Sequence, residues 1–227
     1  MDIIKKLAQE LAIKEEQAKA AVQLIDEGNT IPFIARYRKE MTGALNDETL
    51  RNLHERLLYL RNLEEKKEQV INAITDQGKM TEDLKKKILS AETLVAVDDL
   101  YRPYRPKKQT RATKAKEKGL EPLANILLLQ KTTKSMEEEA AAFVNAEKGV
   151  ANAKEAIAGA KDIIAEMIAD MADYRKSIRN CTMKQGSLVV KAKDEKAESV
   201  YEMYYDFREP LSKVTGYRVL AINRGEK

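Results

Sequence analysis

The sequence predicts an all-α fold: an N-terminal helix-turn-helix-like unit followed by an irregular helical bundle containing two long helices. Three observations predict it. Apolar residues recur at three- and four-residue spacing along much of the 227-residue chain. Ala, Leu, Lys and Glu abound, while aromatics make up 5% and tryptophan is absent. Gly28, Gly43 and Gly78 follow periodic stretches, where a left-handed residue closes a helix. At 43% hydrophobic and 34% charged, the chain can bury a core and is neither disordered nor fibrous.

The elements follow in order. Over residues 3–27, Ile4, Leu7, Leu11, Ala18, Val22 and Ile25 keep helical spacing, and Gly28-Asn29 stops the run. Thr30 is placed to cap a third helix, IPFIARYRKEM, with Pro32 in its first turn and an end at Thr42-Gly43. Three short helices joined by tight turns read as helix-turn-helix-like. Asn46 or Asp47 then opens a long helix with Leu50, Leu53, Leu57 and Leu60 on one face, resumed at Ile71 and Ile74. Charges at 64–68 predict that its middle is solvated. Shorter helices are expected over 81–90 and 92–100, with Thr81 and Thr93 at their starts. Two X-Pro steps, Arg102-Pro103 and Arg105-Pro106, predict an extended basic segment. Helices resume at about 120–130 and 136–144, and a second long helix is expected over 150–180. SLVVKAKD reads as a strand and SVYEMYYDF as a short helix. Neither an internal repeat nor a Gly/Ser linker is visible. The expected division is a helix-turn-helix-like unit over 1–75, including the start of the long helix, and a helical region over 76–227.

Composition also narrows the chemistry. One cysteine, Cys181, excludes an internal disulfide and fits a reducing cytoplasm. One histidine, His54, excludes multi-histidine metal sites, and no cofactor is expected. No stretch nears the roughly 20 apolar residues of a membrane span, so no membrane partner is expected. His54 reads as a surface or capping group and Cys181 as an inert thiol, although a basic helix end precedes the cysteine. Asp98-Asp99 and Asp170/Asp173 read as surface carboxylates more readily than as a metal site. Phosphate-loop, dinucleotide, zinc-protease and serine-hydrolase motifs are absent, and no catalytic residue is nominated.

The charge is informative because it is local. Over 98–118, eight Lys and Arg face three carboxylates, a net +5, whereas the whole chain carries +4. Arg102, Arg105, Lys107, Lys108 and Arg111 can follow a phosphate chain, and Tyr101 or Tyr104 can stack on unpaired bases. The alternative is a loop whose tyrosines and prolines pack on neighbouring helices and whose cations meet carboxylates elsewhere. A second candidate group is Arg36, Arg38 and Lys39, on or near the short third helix beside Tyr37. Entry into a DNA groove would need such side chains on one exposed face. Many three-helix units simply pack against protein, and Glu40 dilutes the charge of this group.

Three stretches resemble the bacterial Tex family of transcription accessory proteins: TIPFIARYRKEMTGALND (30–47), DLYRPYRPKKQTRATKAKEKGLEPLA (99–124) and YEMYYDFREPLSKVTGYRVLAINRGEK (201–227). The similarity runs over essentially the whole chain, with small departures at Met41 and Ala44. It implies the N-terminal third of a large helical protein tied to transcription and RNA handling, related to a eukaryotic elongation factor that accompanies RNA polymerase. In such proteins an RNase-H-like domain, helix-hairpin-helix elements and an OB-fold follow, and the OB-fold is credited with the main RNA contacts. The RNase-H-like domain generally lacks catalytic competence. The chain is thus expected to be a fragment that stops before the RNase-H-like part. The expectation is a cytoplasmic, non-catalytic region contacting RNA or DNA non-specifically and salt-dependently, and RNA polymerase or other transcription proteins. The alternative is a protein scaffold that docks the remaining domains and binds no nucleic acid.

Overall fold

The computed structural model describes residues 2–106 and 109–226, in two compact units, Met1–Arg105 and Pro106–Lys227. Twelve α-helices and one two-stranded sheet make up the described residues. The all-α expectation holds.

The first unit contains α1 (Ile3–Leu11), α2 (Glu15–Asp26), α3 (Ile31–Tyr37), α4 (Asp47–Asp76), α5 (Glu82–Ser90) and α6 (Leu94–Tyr101). Side chains that read as caps in the sequence act as caps: Asn46 accepts from the Thr49 amide at 2.7 Å, and Thr81 and Thr93 from Leu84 and Ala96 at 3.2 Å. Thr30 is the N-cap of α3 by position, but its side chain makes no capping bond there. α4, about 45 Å long at 1.5 Å per residue, is the mast on which α1, α2, α3, α5 and α6 pack. Leu7, Leu24, Ile34, Leu50, Leu53, Leu57, Leu60, Ile74 and Ile88 are buried around it.

Two expectations for this unit are corrected. The middle of α4 is packed, not solvated: Leu63, Lys67 and Val70 are buried there. Lys67 is 1% exposed, and its ammonium donates to Glu64 Oε1 at 2.8 Å and to the Leu89 carbonyl at 2.9 Å. Its aliphatic stem therefore continues the apolar stripe, and the charge is satisfied at the edge of the core. The third helix also ends four residues early, at Tyr37, with Arg38 outside helical geometry (φ −127°, ψ 27°). Gln17 on α2 donates to the carbonyls of Thr42 (3.3 Å) and Gly43 (2.9 Å), so the loop's polar groups are met without further helix.

The second unit contains α7 (Arg111–Glu117), α8 (Glu121–Leu129), α9 (Met136–Ala141), α10 (Ala153–Asp170), α11 (Ala172–Gln185), β1 (Ser187–Lys191), β2 (Asp206–Pro210) and α12 (Gly216–Gly225). α10 packs on α7, α8 and α9 through small residues, Ala112, Ala115, Ala124, Ala140, Ala156 and Ala160, with Leu120, Leu123 and Ile163 between them. β1 pairs antiparallel with β2, Ser187 opposite Pro210 and Lys191 opposite Asp206. The strand expected over SLVVKAKD (187–194) is present but stops three residues short, at Lys191. At SVYEMYYDF the predicted helix is a 3-10 turn, Glu202–Tyr204, and the second strand begins at Asp206.

Two further corrections concern helix continuity. The second long helix is interrupted at Met171 (φ −71°, ψ 117°), which ends α10 and opens α11. The basic segment is not extended throughout: Arg102–Tyr104 form a 3-10 turn and Arg111–Glu117 are helical. Thr110 caps that helix, accepting from Thr113 at 3.0 Å, and RATKAKE is a run of mostly good helix formers. Arg105 keeps the predicted extended backbone before Pro106 (φ −65°, ψ 132°), whereas Arg102 before Pro103 is αR.

Candidate nucleic-acid interface

In the first unit the basic segment meets the protein's own carboxylates. Arg105 lies 3.1 Å from Asp98 and 5.7 Å over the Tyr101 ring, and Asp98 also takes Lys66 at 3.7 Å. Arg102 is exposed on the 3-10 turn. Tyr101 and Tyr104 are half-buried against the core around α4, and the Tyr104 carbonyl accepts from Gln77 at 3.0 Å. In the second unit Arg111, at the start of α7, lies 3.7 Å from Asp162 on α10 while 87% of its side chain stays in water. Lys116 pairs with Glu121 at 3.2 Å, and Lys118 donates to the Gly149 carbonyl at 2.8 Å. Lys107 and Lys108 lie outside the described residues. Exposed pairs of this kind contribute about 0–1 kcal/mol each. They compete with an incoming phosphate without forbidding one.

The end of α3 differs in kind. Ile34 is fully buried and holds α3 on α4, and Gln17 holds the turn that follows. On the outer side Arg36, Tyr37, Arg38 and Lys39 are exposed. Among the described residues none of the three cations is within ion-pair distance of a carboxylate. Phe33 and Tyr37, four residues apart on one helical face, have ring centroids 5.3 Å apart at 44°, and the Arg38 guanidinium sits 5.3 Å over the Phe33 ring. Tyr37 is 67% exposed. Charge in the sequence points to these cations but not to Phe33. The i, i+4 spacing of Phe33 and Tyr37, interleaved with Arg36, is the signal that marks it.

The remaining candidates fall elsewhere. His54 is half-buried on α4. Cys181 is exposed on α11, its Sγ 3.6 Å from Gln185 Oε1. Asp98 is engaged as described, Asp99 and Asp170 are buried, and Asp173 is exposed. Among the described residues no three His, Cys, Asp or Glu gather as a metal site, and no helix is long and apolar enough to cross a membrane.

Electrostatics fasten the first unit from outside its core. Arg56 donates to both oxygens of Glu10, the Nη2 contact at 2.8 Å, and Arg61 to both oxygens of Asp26 at 2.7 Å. The hydrogen bonds from these guanidiniums hold the Glu10 and Asp26 carboxyls below their usual range. In the second unit a cavity of about 370 Å³ is lined by Ile168, Ala169, Tyr174, Arg175, Ile178 and Arg179.

Residues 1–75 match the family described as Tex-like protein N-terminal domain, and residues 131–227 that described as Tex central region-like. The chain is 44% identical over 224 residues to the uncharacterized protein YdcI of Bacillus subtilis, covering 97% of this chain and 31% of that protein. It is 42% identical over 228 residues to the transcriptional accessory protein Tex of Neisseria gonorrhoeae, covering 99% and 30%. It is 32% identical over 235 residues to the human S1 RNA-binding domain-containing protein 1, covering 99% and 23%. The chain spans less than a third of the length of these relatives.

Proposed function

We propose that this chain, which belongs to the Tex family of transcription accessory proteins, acts without catalysis as a helical region that meets RNA or DNA through the exposed cations at the end of α3. The supporting observation is that Arg36, Arg38 and Lys39 face water with no carboxylate partner among the described residues. Cations already free of counter-charge release condensed ions from a polyanion at no electrostatic loss to the protein. The human relative's name speaks of RNA binding for that protein, and the Neisseria relative's of transcription. Such contact is non-specific, with a dissociation constant around 10⁻⁴ to 10⁻⁶ M at physiological salt. RNA polymerase and other transcription proteins are proposed partners of the whole protein.

Fluorescence anisotropy with short labelled oligonucleotides at two salt concentrations tests this. Charge reversal at Arg36, Arg38 and Lys39 together is expected to remove most binding, while reversal at Arg105 and Arg111 weakens it less. Undiminished binding by the triple variant contradicts the proposal.

A second reading, a scaffold that docks the protein's other domains, is favoured by a different observation. Met167, Ile168, Met171, Tyr174 and Ile178 expose apolar surface along α10 and α11, and Arg105 and Arg111 are engaged by Asp98 and Asp162. It is the reading left if no oligonucleotide binds.

A further inference from the structure

We propose that the face made by Phe33, Tyr37, Arg36, Arg38 and Lys39 is a stacking site for single-stranded nucleic acid, with the Tyr37 ring as the platform for an unpaired base. This rests on the proposed function above and specifies its ligand. Two geometric facts separate single strands from duplex. First, a helix reading duplex DNA in the major groove contacts base edges with side chains near its own N-terminus. The first-turn residues of α3 are Ile31, Pro32 and Phe33, which carry no side-chain donor or acceptor, and the N-cap Thr30 adds a single hydroxyl, so this end offers base edges no charged or bidentate group. The cations lie at the other end and in the turn beyond it. Second, the exposed groups are rings and cations side by side, the combination that grips unstacked bases and the backbone between them.

The two rings are not equivalent. Phe33 is 36% exposed and lies under the Arg38 guanidinium at 5.3 Å. Tyr37 is the more open ring, tilted 44° from Phe33. A base on Tyr37 thus meets a ring whose neighbour is fixed, and its flanking phosphates fall among Arg36, Arg38 and Lys39. The face is held in place before any ligand arrives: Ile34 is fully buried directly behind it, and Gln17 bonds two carbonyls of the following turn. The backbone is therefore ordered in advance, and the ordering left for binding is that of the exposed side chains. None of these groups senses a 2′-hydroxyl specifically, so RNA and DNA single strands share the site.

The test uses the chain with oligouridine and oligothymidine of about 12 nucleotides, within the usual site size, and a hairpin duplex of similar charge. Both single strands are expected to bind more tightly than the duplex. Tyr37→Ala is expected to weaken single-strand binding roughly five- to hundred-fold, and Tyr37→Phe to retain it. Three phosphate contacts give a log-affinity against log-salt slope of about −2 on single strands, and Tyr37→Ala leaves that slope unchanged. Equal binding of duplex and single strands, or wild-type affinity in Tyr37→Ala, overturns the stacking site. If charge reversal at Arg36, Arg38 and Lys39 also has no effect, the function proposed above fails with it. If charge reversal abolishes binding while Tyr37→Ala does not, the stacking site alone fails.

Discussion

Lys67 occupies a core position on α4 with its ammonium turned to Glu64 and the Leu89 carbonyl, so one side chain bonds α4 to α5. Lys67→Ala leaves a cavity and an unmet carbonyl and is expected to cost about 2–4 kcal/mol in urea denaturation. Lys67→Met keeps the stem and should cost clearly less. Glu10 gives a pH-dependent prediction. Its carboxyl is held low chiefly by the Arg56 hydrogen bond, so its contribution is present above the ordinary value near 4.3 and is lost as pH falls through the folded value. Glu10→Gln should therefore be less stable than wild type at pH 7, by up to about 1 kcal/mol. The difference should close as denaturation is repeated below about pH 4; a gap that persists there contradicts the assignment. At this scale the candidate cations were legible, because charge is read directly from the sequence. Their availability was not. Whether Arg105 is neutralised depends on Asp98, and whether Arg111 is on Asp162, fifty-one residues away in sequence.

Helix starts are set by neighbours in sequence, and so Asn46, Thr81 and Thr93 are readable as caps from residue order alone. Asn46→Ala is expected to cost about 1 kcal/mol. Helix ends set from a distance are not readable in that way. α3 stops at Tyr37 because Gln17, on another helix, satisfies the next loop, and no local pattern announces that. Met171 breaks a run whose apolar period continues on both sides, leaving nothing in the spacing to mark the interruption. The middle of α4 is dry where its charges predict water because a lysine stem packs as hydrocarbon. The crossing of α10 over α7 depends on Gly159, where an added Cβ would come 2.4 Å from Leu120 Cδ1 and 3.3 Å from Ala115 Cβ. Gly159→Ala should destabilise the second unit by about 1–3 kcal/mol through overpacking, offset in part by helix propensity. An unchanged thermal midpoint would show that Leu120 turns aside freely.

At the scale of the molecule, composition and period were enough for an all-α fold, since helix formers at 3.6-residue spacing have few other ways to bury their apolar faces. The small sheet at the far end was only half visible. β1 carries the apolar, β-branched run Leu188-Val189-Val190, whereas β2 contains Asp206, Arg208, Glu209 and Pro210 and reads as loop until its partner is known. Charge surplus pointed to residues 98–118, yet Arg105, Arg111, Lys116 and Lys118 there are met by carboxylates or carbonyls of their own unit, whereas Arg36, Arg38 and Lys39, at the end of α3 and just beyond it, have no carboxylate partner among the described residues. Nucleic-acid contact at that face can be mapped residue by residue with photo-crosslinking. The chain would be irradiated with 4-thiouridine-containing single strands and the adducts mapped by mass spectrometry. Adducts are expected at Tyr37 and its neighbours between Phe33 and Lys39, suppressed by Tyr37→Ala. Adducts confined to residues 102–118 or to α11, with 33–39 unmodified, would contradict it.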